Sequence, residues 1–68
     1  MAEPGEDLRR LIHDVRSPLT VVELYSGMLE TRGASLTDEQ REEYVARIRR
    51  AVADMRDALD RASAAGGT

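Results

Sequence analysis

Cysteine, lysine, tryptophan and phenylalanine are all absent from this 68-residue chain, and histidine occurs once. Without cysteine there are no disulfides and none of the common thiolate zinc sites. A single histidine cannot build a multi-histidine metal site within one chain, so no metal is expected. The two aromatic residues, Tyr25 and Tyr44, are too few for base stacking or for a dry small-molecule pocket. No apolar run approaches the ~20 residues needed to span a bilayer. All ten basic residues are arginine, interspersed with thirteen acids, for a net charge of −3. Such a mixed, solvated surface has no basic stripe of the kind that nucleic acid requires. Neither nucleic acid nor membrane is therefore expected as a partner. The segment Met1–Glu6 is acidic and polar, unlike a signal peptide. The absence of cysteine fits a reducing compartment, and the expected location is the cytoplasm. The chain then reads either as a whole soluble protein or as a soluble piece of something larger.

What the chain does have is two periodic segments with one break. Pro4-Gly5 marks the end of a loose arm, residues 1–5, and residues 64–68 read as a frayed tail or linker. In the first segment, about 6–31, Leu8, Val15, Val22 and Leu29 recur every seven residues. Ile12 and Leu19 follow the first two of these by four, and Leu11 and Tyr25 widen the stripe. This is the pattern of an amphipathic helix. Pro18 lacks a backbone donor and predicts a bend, while Gly27 costs roughly 1 kcal/mol relative to alanine in a helix interior. The apolar register stays in phase across Pro18, which predicts one bent helix.

The break spans about 32–37. Gly33 is a candidate for a left-handed residue closing the first helix. Thr37 reads as an N-cap, with Gln40 completing a capping box. The second helix is predicted over about 38–63. There Val45, Val52 and Leu59 form one seven-residue series and Ile48, Met55 and Ala62 another, flanked by Tyr44, Ala51 and Ala58. Glu43–Arg47 and Asp57–Arg61 are spaced to pair on the outside. The expected fold is all-α, an antiparallel two-helix hairpin. A monomer this short rarely buries enough apolar surface to fold unaided. Each apolar stripe is also wider than one partner helix can cover. Both arguments predict a homodimer forming a four-helix bundle.

The unusual cluster is His13-Asp14-Val15-Arg16-Ser17-Pro18-Leu19. His13 falls beside the apolar stripe. A neutral imidazole nitrogen is a good nucleophile near neutral pH, and an adjacent carboxylate can orient one ring nitrogen while the other attacks. The residues alone leave two readings open. One is a reactive histidine beside a helix bend. The other is an inert surface histidine on a structural dimerisation hairpin, or on a helical adaptor, with no chemistry at His13.

The same seven residues closely resemble the H-box of sensor histidine kinases, where a histidine is followed by an acid, two further residues, a hydroxyl or amide residue, proline and leucine. The hairpin from about Leu8 to about Ala62 looks like the dimerisation and histidine-phosphotransfer domain of that family. The resemblance implies that His13 accepts phosphate from ATP and passes it to an aspartate on a response regulator, in two-component signalling. It implies Asp14 as general base or orienter, Ser17 as the residue that positions water for dephosphorylation, Pro18 as the helix bend and Arg16 as a phosphate contact. It also implies a regulator-docking surface at Thr20, Leu24 and Gly27. Nothing in the sequence resembles the family's nucleotide-binding motifs. The chain is then part of a histidine protein kinase, catalytically incomplete alone. ATP and Mg²⁺ would be supplied by an ATP-binding catalytic domain in the same or a separate chain. The other expected partners are a second copy of this chain and a response-regulator receiver domain. The cytoplasmic part of a membrane-bound sensor is a further setting that fits.

Overall fold

A computed structural model describes residues 4–65 of the chain. Helix α1 runs Pro4–Arg32, a single 3₁₀ turn covers Gly33–Ser35, and helix α2 runs Asp38–Ala65. Among the described residues there is no strand, and α1 packs against α2 as an antiparallel hairpin. The fold class is therefore the one expected.

The helix ends lie slightly outside the expected bounds. Pro4 and Gly5, expected in the arm, form the start of α1. Proline suits a first helical position because the donor it lacks would be unpaired there in any case. Glu6 and Asp7 follow in the first turn, where their charge opposes the helix dipole. Ala64 and Ala65, expected in the tail, continue α2, as the high helix propensity of alanine favours. The rest of the expected arm and tail, residues 1–3 and 66–68, lies outside the described residues. Helix α1 continues through Pro18.

The connection closes differently from the sequence expectation. Gly33 does not adopt positive φ. Instead the chain tightens into the 3₁₀ turn, and the free carbonyls find other donors. The Leu36 amide donates to the Gly33 carbonyl at 3.4 Å, the Arg41 guanidinium donates to the same carbonyl at 2.8 Å, and the Ser35 hydroxyl donates to the Arg32 carbonyl at 3.0 Å. With those acceptors engaged, a left-handed residue is not needed to end the helix. Leu36 is extended (φ −82°, ψ 143°) and releases the chain into α2. Both arms of the predicted capping box form. The Gln40 amide donates to Thr37 Oγ1 at 3.1 Å, and the Thr37 amide donates to Gln40 Oε1 at 2.9 Å.

The hairpin is a thin rod, 52 × 16 × 12 Å. Such a shape has almost no interior, and among the described residues only Ala51 and Ala58 are buried, at 4% and 3% exposure. These alanines were expected at the flank of the α2 seam, with the two larger series at its centre. The order is reversed because small side chains let the two helices approach closely along the Tyr44–Ala51–Ala58 line. Tyr44 packs on Tyr25 with ring centroids 5.0 Å apart and a 57° tilt. The bulkier residues are displaced to one edge, where Leu8, Ile12, Leu19, Val45 and Leu59 are exposed. On that edge a groove of about 370 Å³ is lined by Leu11, Ile12, Val15, Arg16, Leu19 and Leu59. The opposite edge is polar. It carries the α2 series Arg47, Asp54 and Arg61, spaced by seven, facing the side of α1 that bears His13.

Candidate functional site

His13 projects from the second turn of the apolar register of α1, but on the polar edge, with 87% of its side chain exposed. Ile12 and Val15 take the apolar side, and the 100° step of the helix turns the residue between Ile12 and Asp14 toward solvent. Asp14 is only partly exposed, and its Oδ1 lies 3.3 Å from His13 Nδ1. That separation is longer than the 2.7–2.9 Å of a strong charge-assisted bond. The contact is nevertheless directional. It engages Nδ1 and leaves Nε2 pointing to solvent without a partner among the described residues.

Ser17 and Pro18 follow one turn later and border the same groove. This groove, of about 300 Å³, runs between the helices and is lined by His13, Asp14, Ser17, Pro18, Asp54, Asp57 and Arg61. Four of the residues singled out in the sequence are therefore brought together: His13, Asp14, Ser17 and Pro18. A second groove continues beyond Pro18 and adds Arg47 and Arg50. Because Pro18 has no amide hydrogen, the Asp14 carbonyl loses its intrahelical donor, so the backbone beside His13 is less tied than elsewhere in α1.

Arg16 is not brought to this groove. It is exposed and lines the apolar groove on the other edge, beside Ile12, Leu19 and Leu59. Its carbonyl accepts a hydrogen bond from the Thr20 hydroxyl at 2.9 Å. Thr20 and Leu24 are exposed and Gly27 is half-buried, and at helical spacing they extend the His13 side of α1 toward the turn. A Cβ at Gly27 would meet nothing within 4 Å, so no close approach requires glycine there. The Gly27 carbonyl accepts from the Thr31 hydroxyl at 2.8 Å.

The α2 side of the groove was not expected at the site: Asp54 was not singled out, and Asp57 and Arg61 were expected only as an outer pair. The signal was present as the seven-residue series Arg47, Asp54 and Arg61. It becomes meaningful only once Ala51 and Ala58 are known to face α1. Of the two expected outer pairs, Glu43–Arg47 forms at 3.0 Å. The hydrogen bond to Glu43, and next the charge of Tyr25, hold the Arg47 guanidinium above its ordinary pKa, and Arg47 also lies 5.7 Å from the Tyr25 ring centroid. The Asp57–Arg61 pair does not form among the described residues. An exposed i,i+4 pair is worth only about 0.3–0.5 kcal/mol, and Arg61 lines two grooves between the helices instead.

Among the described residues there is no cluster of metal-ligating side chains, and no helix is long and apolar enough to cross a membrane. No curated protein and no solved structure matches the chain. Residues 6–63, nearly the whole hairpin, match the family described as the His Kinase A (phospho-acceptor) domain.

Proposed function

The chain belongs to the His Kinase A phospho-acceptor domain family, and from that premise we propose that it receives a phosphoryl group on His13 and passes it to an aspartate of a response-regulator receiver domain. The observation that carries this reading is the engaged Nδ1 of His13 beside a free, solvent-facing Nε2. In the neutral ring, Nδ1–H donates to the Asp14 carboxylate, and the lone pair remains on Nε2. That lone pair attacks the γ-phosphorus of ATP. The new N–P bond forms as the bond to the β,γ-bridging oxygen breaks, and ADP leaves with that electron pair. The ring becomes cationic, and the Asp14 carboxylate offsets the charge by tightening its hydrogen bond or taking the Nδ1 proton. In the second transfer the receiver carboxylate attacks the same phosphorus and neutral imidazole departs.

ATP and Mg²⁺ are held by a separate catalytic domain, which the high exposure of His13 allows to approach. Ser17 lies one turn beyond His13 on the same groove, where its hydroxyl can orient a water toward a phosphorylated receiver. Arg16, on the other edge, reaches phosphate only if its long side chain swings around the helix or if a partner meets it there. Thr20, Leu24 and Gly27 offer the receiver a shallow surface of mixed polarity on α1. The exposed apolar edge supports the pairing of two hairpins into a four-helix bundle. The setting is cytoplasmic two-component signalling.

The test is incubation of the purified chain with an ATP-binding catalytic domain of this kinase family and labelled ATP. The expected product is an acid-labile, alkali-stable phosphate that disappears in His13→Gln. Absence of label with several such domains, or label that persists in His13→Gln, would remove the phosphoacceptor reading and leave a structural dimerisation hairpin.

A further inference from the structure

Arg61 is the one cation lining the groove that holds His13. The other charged side chains there are Asp14 from α1 and Asp54 and Asp57 from α2. Arg61 also borders the adjoining groove, lined by Asp7, Arg10, Leu11, Asp14, Ala58 and Ala62. It therefore stands between two openings with carboxylates on both sides, yet among the described residues it forms neither an ion pair nor a side-chain hydrogen bond. Arg47 lies fourteen residues earlier in the same α2 series, and its guanidinium is committed to Glu43 and Tyr25. Arg61 has the same i−4 acid available in Asp57 and does not take it.

A phosphoryl group on His13 would add up to two negative charges beside three carboxylates. Without a nearby cation, that arrangement repels the product of its own reaction. A guanidinium is suited to the task because its planar donors match phosphate oxygens and its charge is permanent. We propose that Arg61 is a phosphate-binding residue of the phosphorylated state, reaching across the groove from α2 to the phosphoryl group on His13. The assignment rests on His13 being the phosphoacceptor. It makes the site a two-helix construction, with the nucleophile and its orienting carboxylate on α1 and the counter-ion on α2.

The test uses phosphoramidate, which loads histidine without a kinase. Its P–N bond breaks, ammonia leaves with the electron pair, and the His13 Nε2 lone pair forms the new N–P bond. The single histidine and the absence of lysine make the phosphohistidine signal in phosphorus NMR self-assigning. The readout is the pH midpoint at which the phosphoryl group takes up its proton. A guanidinium in contact favours the dianion, so Arg61→Gln should raise the midpoint by about half a pH unit. Arg61→Lys should restore much of the shift, and Arg49→Gln, which removes the same charge elsewhere on α2, should leave the midpoint in place. Salt at ~1 M should narrow the difference between the wild-type and Arg61→Gln midpoints. Coincident midpoints for wild type and Arg61→Gln, or an equal shift from Arg49→Gln, would overturn the proposal. Circular dichroism of each variant separates these outcomes from unfolding. Failure of the phosphoacceptor reading is seen elsewhere, as a chain that loads from phosphoramidate but takes no phosphate from any catalytic domain.

Discussion

At the scale of the residue, the chemistry of His13 turns on which ring nitrogen is engaged. The Asp14 carboxylate sits 3.3 Å from Nδ1, close enough to orient the ring and too far to bind it strongly at rest. Its contribution should therefore grow as positive charge develops on the imidazole. Asparagine at this position could still accept the hydrogen bond but would carry no charge to offset. Asp14→Asn should lower the single-turnover rate of phosphorylation by about 10²-fold, the lower end of what a positioned acid–base group supplies. Asp14→Glu should retain more of the rate. Because asparagine keeps the size and shape of Asp14, the melting temperature should scarcely move. An unchanged rate in Asp14→Asn would mean that the carboxylate neither orients nor compensates the ring. The sequence alone showed the acid next to the histidine, and helical geometry makes their contact readable. The groove partners from α2 were not readable, because two alanines, not the larger heptad residues, decide which face of α2 meets α1.

At the scale of the element, the hairpin depends on local chemistry more than on a core. The capping box at Thr37 satisfies two amides at the start of α2. Thr37→Ala should cost about 1 kcal/mol, which corresponds to a drop of roughly 4–8 °C in melting temperature for a domain of this size. This box was legible because its chemistry is confined to four consecutive residues. The end of α1 was not, because the turn that follows it is closed by Arg41 from the next helix, which donates to the Gly33 carbonyl, a partner eight residues away that no terminal signal announces. Gly27 illustrates a different limit. The sequence marks it as a cost to the helix, and the structure leaves open space around it, so stability gives no reason for glycine there. Gly27→Ala should stabilise the hairpin by about 1 kcal/mol, seen as a higher melting temperature. If the α1 surface beyond His13 is where a receiver docks, the same variant should slow transfer to the receiver while leaving phosphorylation of His13 unaltered. A melting temperature that falls would mean that the site is tighter than the free hairpin shows.

At the scale of the whole molecule, the two edges of the rod have different fates. One edge gathers His13, Asp14, Ser17 and Arg61 around a groove. The other exposes Leu8, Ile12, Leu19, Val45 and Leu59, in a chain whose only buried side chains among the described residues are two alanines. Each large apolar side chain left in water forgoes about 1.5–3 kcal/mol of burial, so a lone hairpin 12 Å thin lacks the means to repay its conformational entropy. The seven-residue spacing of Val45, Val52 and Leu59, set against Ile12 and Leu19 of α1, fits a second copy laid antiparallel or parallel along the same edge. Light scattering at micromolar concentration should give twice the chain mass, and the melting temperature should rise with concentration, as mass action requires when folding and association are coupled. Leu19→Glu should shift the mass to that of one chain and remove most of the helical signal, because a buried unpaired carboxylate is disfavoured in the bundle but tolerated on a free surface. Leu24→Glu is the matched control. It alters a somewhat more exposed leucine on the His13 side of α1 and should leave both mass and helicity intact. A monomeric wild type that stays helical on dilution would show instead that the hairpin stands alone and that its apolar edge serves another partner.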